Sequence, residues 1–242
     1  MFSTRWSPKM QARLAGIFYL YIVVAGVFAE AFVRGPLVNY SDASATAANI
    51  LGSESLYRIG LTAEILMMSA DIAVAAIFYI LFKSVDRTWS LIGMLLRLAT
   101  VAVAGVKAIL LLTPLVLLSS APYLAAFDIE QLQALSLASI KLHGRAYDVA
   151  LIAFGLDCLV IGGLIIRSTF LPRLIGIGIV IAGICYLVNS LTNLLALPFA
   201  GSLFPFIMLP CLVSELALAV WLTCVGLNAE KWGDGLSVTR GA

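Results

Sequence analysis

Residues 174–197 read LIGIGIVIAGICYLVNSLTNLLAL, a stretch without one charged side chain. At 1.5 Å per residue a helix of this length is about 36 Å long, enough to cross the ~30 Å hydrocarbon core of a bilayer. The rest of the chain agrees. Of 242 residues, 62% are hydrophobic and 12% charged, with a mean hydropathy of +1.06. Soluble domains carry roughly 25% charged and 45–50% apolar residues. A water-soluble fold of this size cannot hide so much apolar side chain, and a disordered chain would not contain it. The composition therefore implies a single integral membrane domain over 1–242, all-α, with the lipid bilayer as its first partner. A net charge of +2 and the absence of any basic tract argue against nucleic acid.

Six stretches are long and apolar enough to cross: 14–33, 56–82, 89–118, 144–166, 174–197 and 204–227. Arg5, Lys9 and Arg13 before the first, with Ala29-Glu30-Ala31 near its end, also resemble a signal peptide. The apolar run continues past that site to Val33, so an uncleaved anchor is expected. Lysine and arginine then set the orientation. Arg5, Lys9, Arg13, Lys83, Arg87, Arg167, Arg173, Lys231 and Arg240 fall on one side, and Arg34, Arg58, Lys141 and Arg145 on the other. This predicts a multi-pass protein of the bacterial inner membrane with both termini cytoplasmic. Trp6, Trp89 and Trp232 sit near the inner boundary, where amphipathic rings are at home.

Both long loops are then external, and each is predicted to hold a short helix. Asp42 precedes a run of small residues that ends at Gly52, and Ser53 with Glu54 is placed to cap the second span. Asp128 and Gln131 have capping-box spacing, followed by apolar residues at helical intervals. That segment reads as an interfacial helix or, equally, as a plain connector. A weak repeat runs through the chain. Arg13-Leu-Ala-Gly16, Ser90-Leu-Ile-Gly93 and Arg173-Leu-Ile-Gly176 open the odd spans, and Asp71, Asp157 and Glu215 lie at similar depth in the even ones. Convergence of the three acids would support the repeat. Gly178-xxx-Ala182 and Ser69-xxx-Ala73 read as close helix-packing positions.

A charge at membrane depth costs at least ~2.5 kcal/mol, so such groups normally face the bundle interior and find partners. The spans carry Glu30, Glu64, Asp71, Arg97, Lys107, Asp148, Asp157 and Glu215, with the single histidine, His143, at a span end and Asn189 and Asn193 on one face of the fifth. Rises along the helices sort them into two layers. Arg97, Asp71 and Asp157 form the inner one. Lys107, Glu30, Glu64, Asp148 and His143 form the outer one, and Glu215 falls between, after Pro210. Six acids against two fixed cations leave a surplus that must be protonated, hydrated or bound to an added cation. The favoured reading is a carboxylate-rich polar cavity that binds or translocates a small cation, proton or polar ligand. The alternatives are a membrane-embedded enzyme acting on lipid, and a structural or partner-binding protein whose buried charges act as interhelical glue.

Several chemistries lack their residues. One histidine and four scattered cysteines do not make a zinc site, a bis-histidine haem site or a disulfide frame; Cys158, Cys185, Cys211 and Cys224 read as small buried hydrophobes. No metal site and no cofactor are expected, although oxygen-rich sites for Mg or Ca remain compatible with the acids. There is no G-x-S-x-G, no phosphate-binding G-x-x-x-x-G-K-[ST], and no glycine-flanked pair of aspartates of the intramembrane-protease type. His143 reads as bonded to backbone or to Asp148 rather than as a proton relay.

Four separated segments carry a family resemblance. They are Arg13-Leu-Ala-Gly-Ile-Phe-Tyr-Leu20 with Phe28-Ala-Glu-Ala-Phe-Val-Arg34; Ala47-Ala-Asn-Ile-Leu-Gly-Ser-Glu-Ser-Leu-Tyr-Arg58; Tyr123 to Leu135 with His143-Gly144; and Phe170-Leu-Pro-Arg-Leu-Ile-Gly176. In this order they resemble the bacterial domain-of-unknown-function family 4386, over about residues 11–232. The resemblance implies a single-domain inner-membrane protein and carries over no activity and no catalytic residue.

Overall fold

The computed structural model describes residues 6–233, so Arg5, Arg240 and the chain end at Ala242 lie outside the described residues. Among the described residues the chain is helical and holds no strand. The helices are α1 (Pro8–Val27), α2 (Gly35–Leu37), α3 (Ala43–Gly52), α4 (Glu54–Phe82), α5 (Arg87–Leu117), α6 (Ile129–Arg167), α7 (Arg173–Leu194), α8 (Ala200–Leu203) and α9 (Met208–Cys224). A π-helical turn, Phe28–Arg34, joins α1 to α2 without a break. Among the described residues five helices are long and apolar enough to cross a membrane: Pro8–Leu37, Glu54–Phe82, Arg87–Leu117, Ile129–Arg167 and Arg173–Leu194. The sixth apolar stretch forms the shorter α9, of 17 residues. Residues 204–207 ahead of it are turns around Pro205, which has no N–H to give a helix.

Local signals explain most boundaries. Asp42 caps α3 by accepting from the Ala45 N–H, and Asp86 caps α5 by accepting from Thr88 and Trp89. Asp128 and Gln131 close the expected capping box at the start of α6. Two expectations fail. Ser53 makes no side-chain cap on α4; its N–H instead bonds to the α3 carbonyls of Asn49 and Ile50. The helix of the fourth span does not begin at Gly144, because the helix expected in the loop before it and the span are one continuous α6 of 39 residues. A lone glycine costs a helix only about 1 kcal/mol, and no proline interrupts the run.

The long helices pack in cyclic order, α1 on α4, α4 on α5, α5 on α6, α6 on α7, α7 on α9 and α9 back on α1. The result is a closed ring. Its outer face is apolar, with Ile17, Val24, Ile65, Ile72, Val106, Ile109, Ile181 and Val213 exposed. Charged Arg97, Asp157, Glu64 and Glu215 are buried inside. This inverts the water-soluble arrangement and suits a lipid surround.

Glycines set the closest approaches. A β-carbon on Gly176 would sit 2.8 Å from the Gly162 carbonyl oxygen, and one on Gly183 2.7 Å from that of Gly155, so α6 and α7 touch backbone to backbone. Gly16, Gly93 and Gly176, the shared glycines of the weak repeat, all lie at helix–helix contacts, Gly93 against side chains only. Gly16 faces Thr223 of α9, Gly93 faces Ile161 of α6, and Gly176 faces α6. Gly178 meets Ser214, and the Ala182 carbonyl accepts from Cys211, so that small-residue pair packs α7 on α9. Ser69 is exposed and packs nothing closely; the buried stripe of α4 runs through Ala70 and Val74 instead. Of the four cysteines, Cys158 and Cys211 are buried, Cys185 is half-buried, and Cys224 is exposed on the apolar surface rather than buried.

Candidate functional site

Each of the six ring helices contributes at least one polar or aromatic side chain to a single inner layer. These are Tyr19 from α1, Asp71 from α4, Arg97 from α5, Asp157 from α6, Tyr186 from α7 and Glu215 from α9. Arg97 is the hub. Its Nε and Nη2 both reach Asp157 Oδ2 at 2.8 Å, and its Nη1 reaches Asp71 Oδ1 at 3.1 Å. The guanidinium carbon lies 4.9, 5.2 and 5.7 Å from the ring centroids of Phe154, Tyr19 and Phe78. Aromatic faces around a desolvated cation are worth up to ~2 kcal/mol each. Two carboxylates and three rings thus replace the water this cation has lost.

Glu215 completes the layer. Its Oε1 accepts from the Tyr186 hydroxyl, and the Tyr186 ring packs edge-on against Phe154, 5.4 Å between centroids. Phe154 joins the two halves of the layer, since it lies against both the Arg97 guanidinium and the Tyr186 ring that bonds Glu215, and Tyr19 packs on Arg97. The three acids of the repeat therefore converge. They share one fixed cation, so the layer holds more carboxyl groups than fixed positive charges. Asp157 is 0% exposed, and its Oδ1 has no hydrogen-bond partner among the described residues.

The outer cluster is built differently. Arg34 binds Glu30 at 2.7 Å and also pairs with Glu64. Lys107 Nζ reaches Glu64 Oε2 at 3.1 Å and sits 4.5 Å over the Tyr147 ring. His143 places Nδ1 3.1 Å from the Lys107 carbonyl. Two acids meet two cations, so this cluster balances. Arg34, counted from sequence as a loop cation, is turned inward by the π-helical turn that carries it; an extra residue in a turn re-aims every side chain beyond it.

Not every expected member joins a layer. Asp148 stands apart from Lys107. Its Oδ1 accepts from Asn193 Nδ2 at 3.1 Å, and Arg145 lies 3.8 Å from Oδ2. Glu30 is reached through Arg34 rather than Lys107, and its side chain is 56% exposed. His143 contacts backbone and not Asp148, while Glu215 belongs to the inner layer rather than between the two. Sequence reasoning missed Arg34, Tyr19, Phe78, Phe154, Tyr147, Arg145 and Tyr186. Only Tyr186 carried a signal, since it lies on the same face of α7 as Asn189 and Asn193.

Between the layers burial varies along the helices, with Ala25, Ala70 and Ala150 buried. On α6, His143 and Leu151 are buried, yet Tyr147 between them is 44% exposed. Met67, Met68 and Asp71 on α4, and Ile22, Val23 and Gly26 on α1, are half-buried at corresponding heights. The Met67 methyl group faces Gly26, and that of Met68 faces Gly105 of α5. One surface pocket, lined by Ile50, Glu54, Arg58, Pro114 and Leu118, lies at the outer ends of α3, α4 and α5, and its acid, Glu54, is held by Arg58 at 2.7 Å.

A family model described as Domain of unknown function (DUF4386) matches residues 14–226. The chain belongs to that family. No curated protein and no solved structure matches it. The family assigns no activity, so the reading of the site rests on its own geometry.

Proposed function

We propose that this DUF4386 member is a six-span protein of the bacterial inner membrane that binds or moves a proton or small cation through the ring interior. The observation that carries the reading is the inner layer, in which Asp71, Asp157 and Glu215 surround one fixed cation, Arg97. Carboxylates in excess at low dielectric require a proton, water or a mobile cation to balance them. Asp71 is the most accessible of the three, with 17% of its side chain exposed, while Asp157 and Glu215 are buried. α9 counts as the sixth span because it closes the ring between α7 and α1. Both termini and the hairpins 83–86 and 168–172 then share the cytoplasmic side, as the lysine and arginine distribution asks.

The glue reading is favoured by a specific observation only at the outer end, where Arg34 and Lys107 neutralise Glu30 and Glu64. The lipid-enzyme reading needs two acids in a cleft open to the outer leaflet, and the pocket at Glu54 offers one acid already paired. The test uses proteoliposomes enclosing a pH-reporting dye, challenged with steps of external pH, Na⁺ or K⁺. Wild-type protein is expected to carry a response to at least one step that the variant D71N/D157N/E215Q, monodisperse on size exclusion, lacks. Identical responses from the two would remove the proposal.

A further inference from the structure

The inner layer is deep, and its approach from the outer end is not through the balanced cluster, where Arg34, Glu64 and Lys107 close on one another. A second polar line exists on α7. Tyr186, Asn189 and Asn193 recur at three- and four-residue spacing and so share one face, with Ser190 beside them. Its lower end is fixed by Tyr186 donating to Glu215 of the inner layer. Its upper end is fixed by Asn193, which donates to Asp148 and whose carbonyl accepts from Arg145 at 3.0 Å. The Arg145 side chain is 60% exposed, so this end reaches the surface.

The middle of the line is what points to a ligand. Asn189 Oδ1 and Ser190 Oγ are buried, with their residues 5% and 0% exposed, and neither has a hydrogen-bond partner among the described residues. Buried polar atoms are nearly always bonded, and an orphan pair inside an apolar helix bundle is a strong departure. Two adjacent orphans, with a tyrosine hydroxyl one turn below and a carboxamide one turn above, offer the two to four polar contacts a buried water needs. From Tyr186 to Asn193 the helix rises about 10 Å, the length of roughly three or four hydrogen-bonded waters.

We propose that the polar stripe of α7 binds a short file of water molecules, which hydrates Glu215 from the outer surface at Asp148. The file supplies the route by which a proton reaches the inner carboxylates, and in that respect it rests on the function proposed above. Asn189 and Ser190 hold the water; Asn193 and Arg145 frame the mouth; Tyr186 is the last group before Glu215.

Hydroxyl-radical footprinting of the full-length wild-type protein in micelles tests the file directly, because radicals generated from bound water modify the side chains beside it. Tyr186 is expected to be modified well ahead of Tyr57, a control tyrosine that is also buried (2% exposed against 9%) and whose hydroxyl is satisfied by the Leu111 carbonyl. The variant N189L/S190A is expected to bring Tyr186 down to the Tyr57 rate. Equal, slow modification of both tyrosines in wild type would overturn the file, as would an unchanged Tyr186 rate in the variant. Should that variant not fold, S190C serves instead. Its thiol is expected to be consumed by Ag⁺ at least about tenfold faster than that of I179C, a buried apolar position on the same helix, since thiol chemistry requires access. Equal rates would also overturn it. The two proposals fail separately. Fast Tyr186 modification with D71N/D157N/E215Q still responding like wild type keeps the file and removes the transport reading, and the converse pair of results does the reverse.

Discussion

The outer and inner charged layers lie in the same ring of helices and solve the same problem in opposite ways. In the outer cluster Glu30 and Glu64 face Arg34 and Lys107, so the charges cancel where they stand. In the inner layer Asp71, Asp157 and Glu215 face Arg97 alone. Taking ions out of water costs several kcal/mol apiece, and good pairing is what repays it. A balanced cluster therefore behaves as structure. An unbalanced one is under standing demand for a positive charge from elsewhere, which a proton or a cation meets. The difference teaches that counting buried acids is less informative than finding where their excess is concentrated.

The harshest way to break this comparison is to remove the hub. Arg97→Met leaves two buried carboxylates with no fixed partner and strips the cation from the Phe154, Tyr19 and Phe78 rings. Breaking a buried pair by removing one partner costs about 3–5 kcal/mol, and here two pairs go at once. The expected outcome is loss of the monodisperse protein on size exclusion. A well-folded Arg97→Met chain with wild-type thermal stability would mean that the inner acids are already neutral in the resting protein.

Next in size is the outer cluster. Glu64→Gln leaves Lys107 without its ion-pair acid and Arg34 with only the largely exposed Glu30, and should destabilise by roughly 3 kcal/mol. Adding Lys107→Met restores the balance and should recover most of that loss, because an apolar side chain in place of a buried ion is often neutral or stabilising. Thermal unfolding in detergent across the four-member double-mutant cycle measures the coupling. An additive cycle would show that the two residues do not act as a pair. Smaller again is Tyr147→Leu, which removes the ring beneath the Lys107 ammonium; a loss of about 1 kcal/mol is expected in the same assay.

Much of this was legible in the sequence, and the part that was not shares a cause. Charge at membrane depth is costly, so Arg97, Asp71 and Asp157 could be placed in one layer by counting 1.5 Å rises from span ends. The same counting failed wherever the helix departed from a straight, regular α-helix that starts at the bilayer. The π-helical turn carried Arg34 from an apparent loop into the outer cluster. The unbroken α6 made the position of His143 one in a long helix rather than a span end. Asp148 has the right depth for the outer cluster but the wrong azimuth; it points to α7, where Asn193 meets it. The aromatic box around Arg97 left no trace, because tyrosine and phenylalanine are unremarkable in any span and only the closed ring brings Tyr19 and Phe154 together.

The smallest expected effect is the most discriminating. Asp71→Asn removes one acid from a layer that has too many, and it leaves the closer Arg97–Asp157 pair, at 2.8 Å, in place. The carboxamide oxygen can still accept from Arg97 Nη1 at the 3.1 Å position. Substituting a paired acid normally weakens a membrane protein, as Glu64→Gln should. Here the lost attraction to Arg97 is offset by relief of repulsion from Asp157 and Glu215. Stability within about 0.5 kcal/mol of wild type is expected, with a diminished response to the cation or pH step in proteoliposomes. The two acids thus make opposite forecasts from the same change of one oxygen to an amide. If Asp71→Asn proved as damaging as Glu64→Gln, the inner acids would be held by pairing alone, and the excess of carboxyl groups would have no functional consequence.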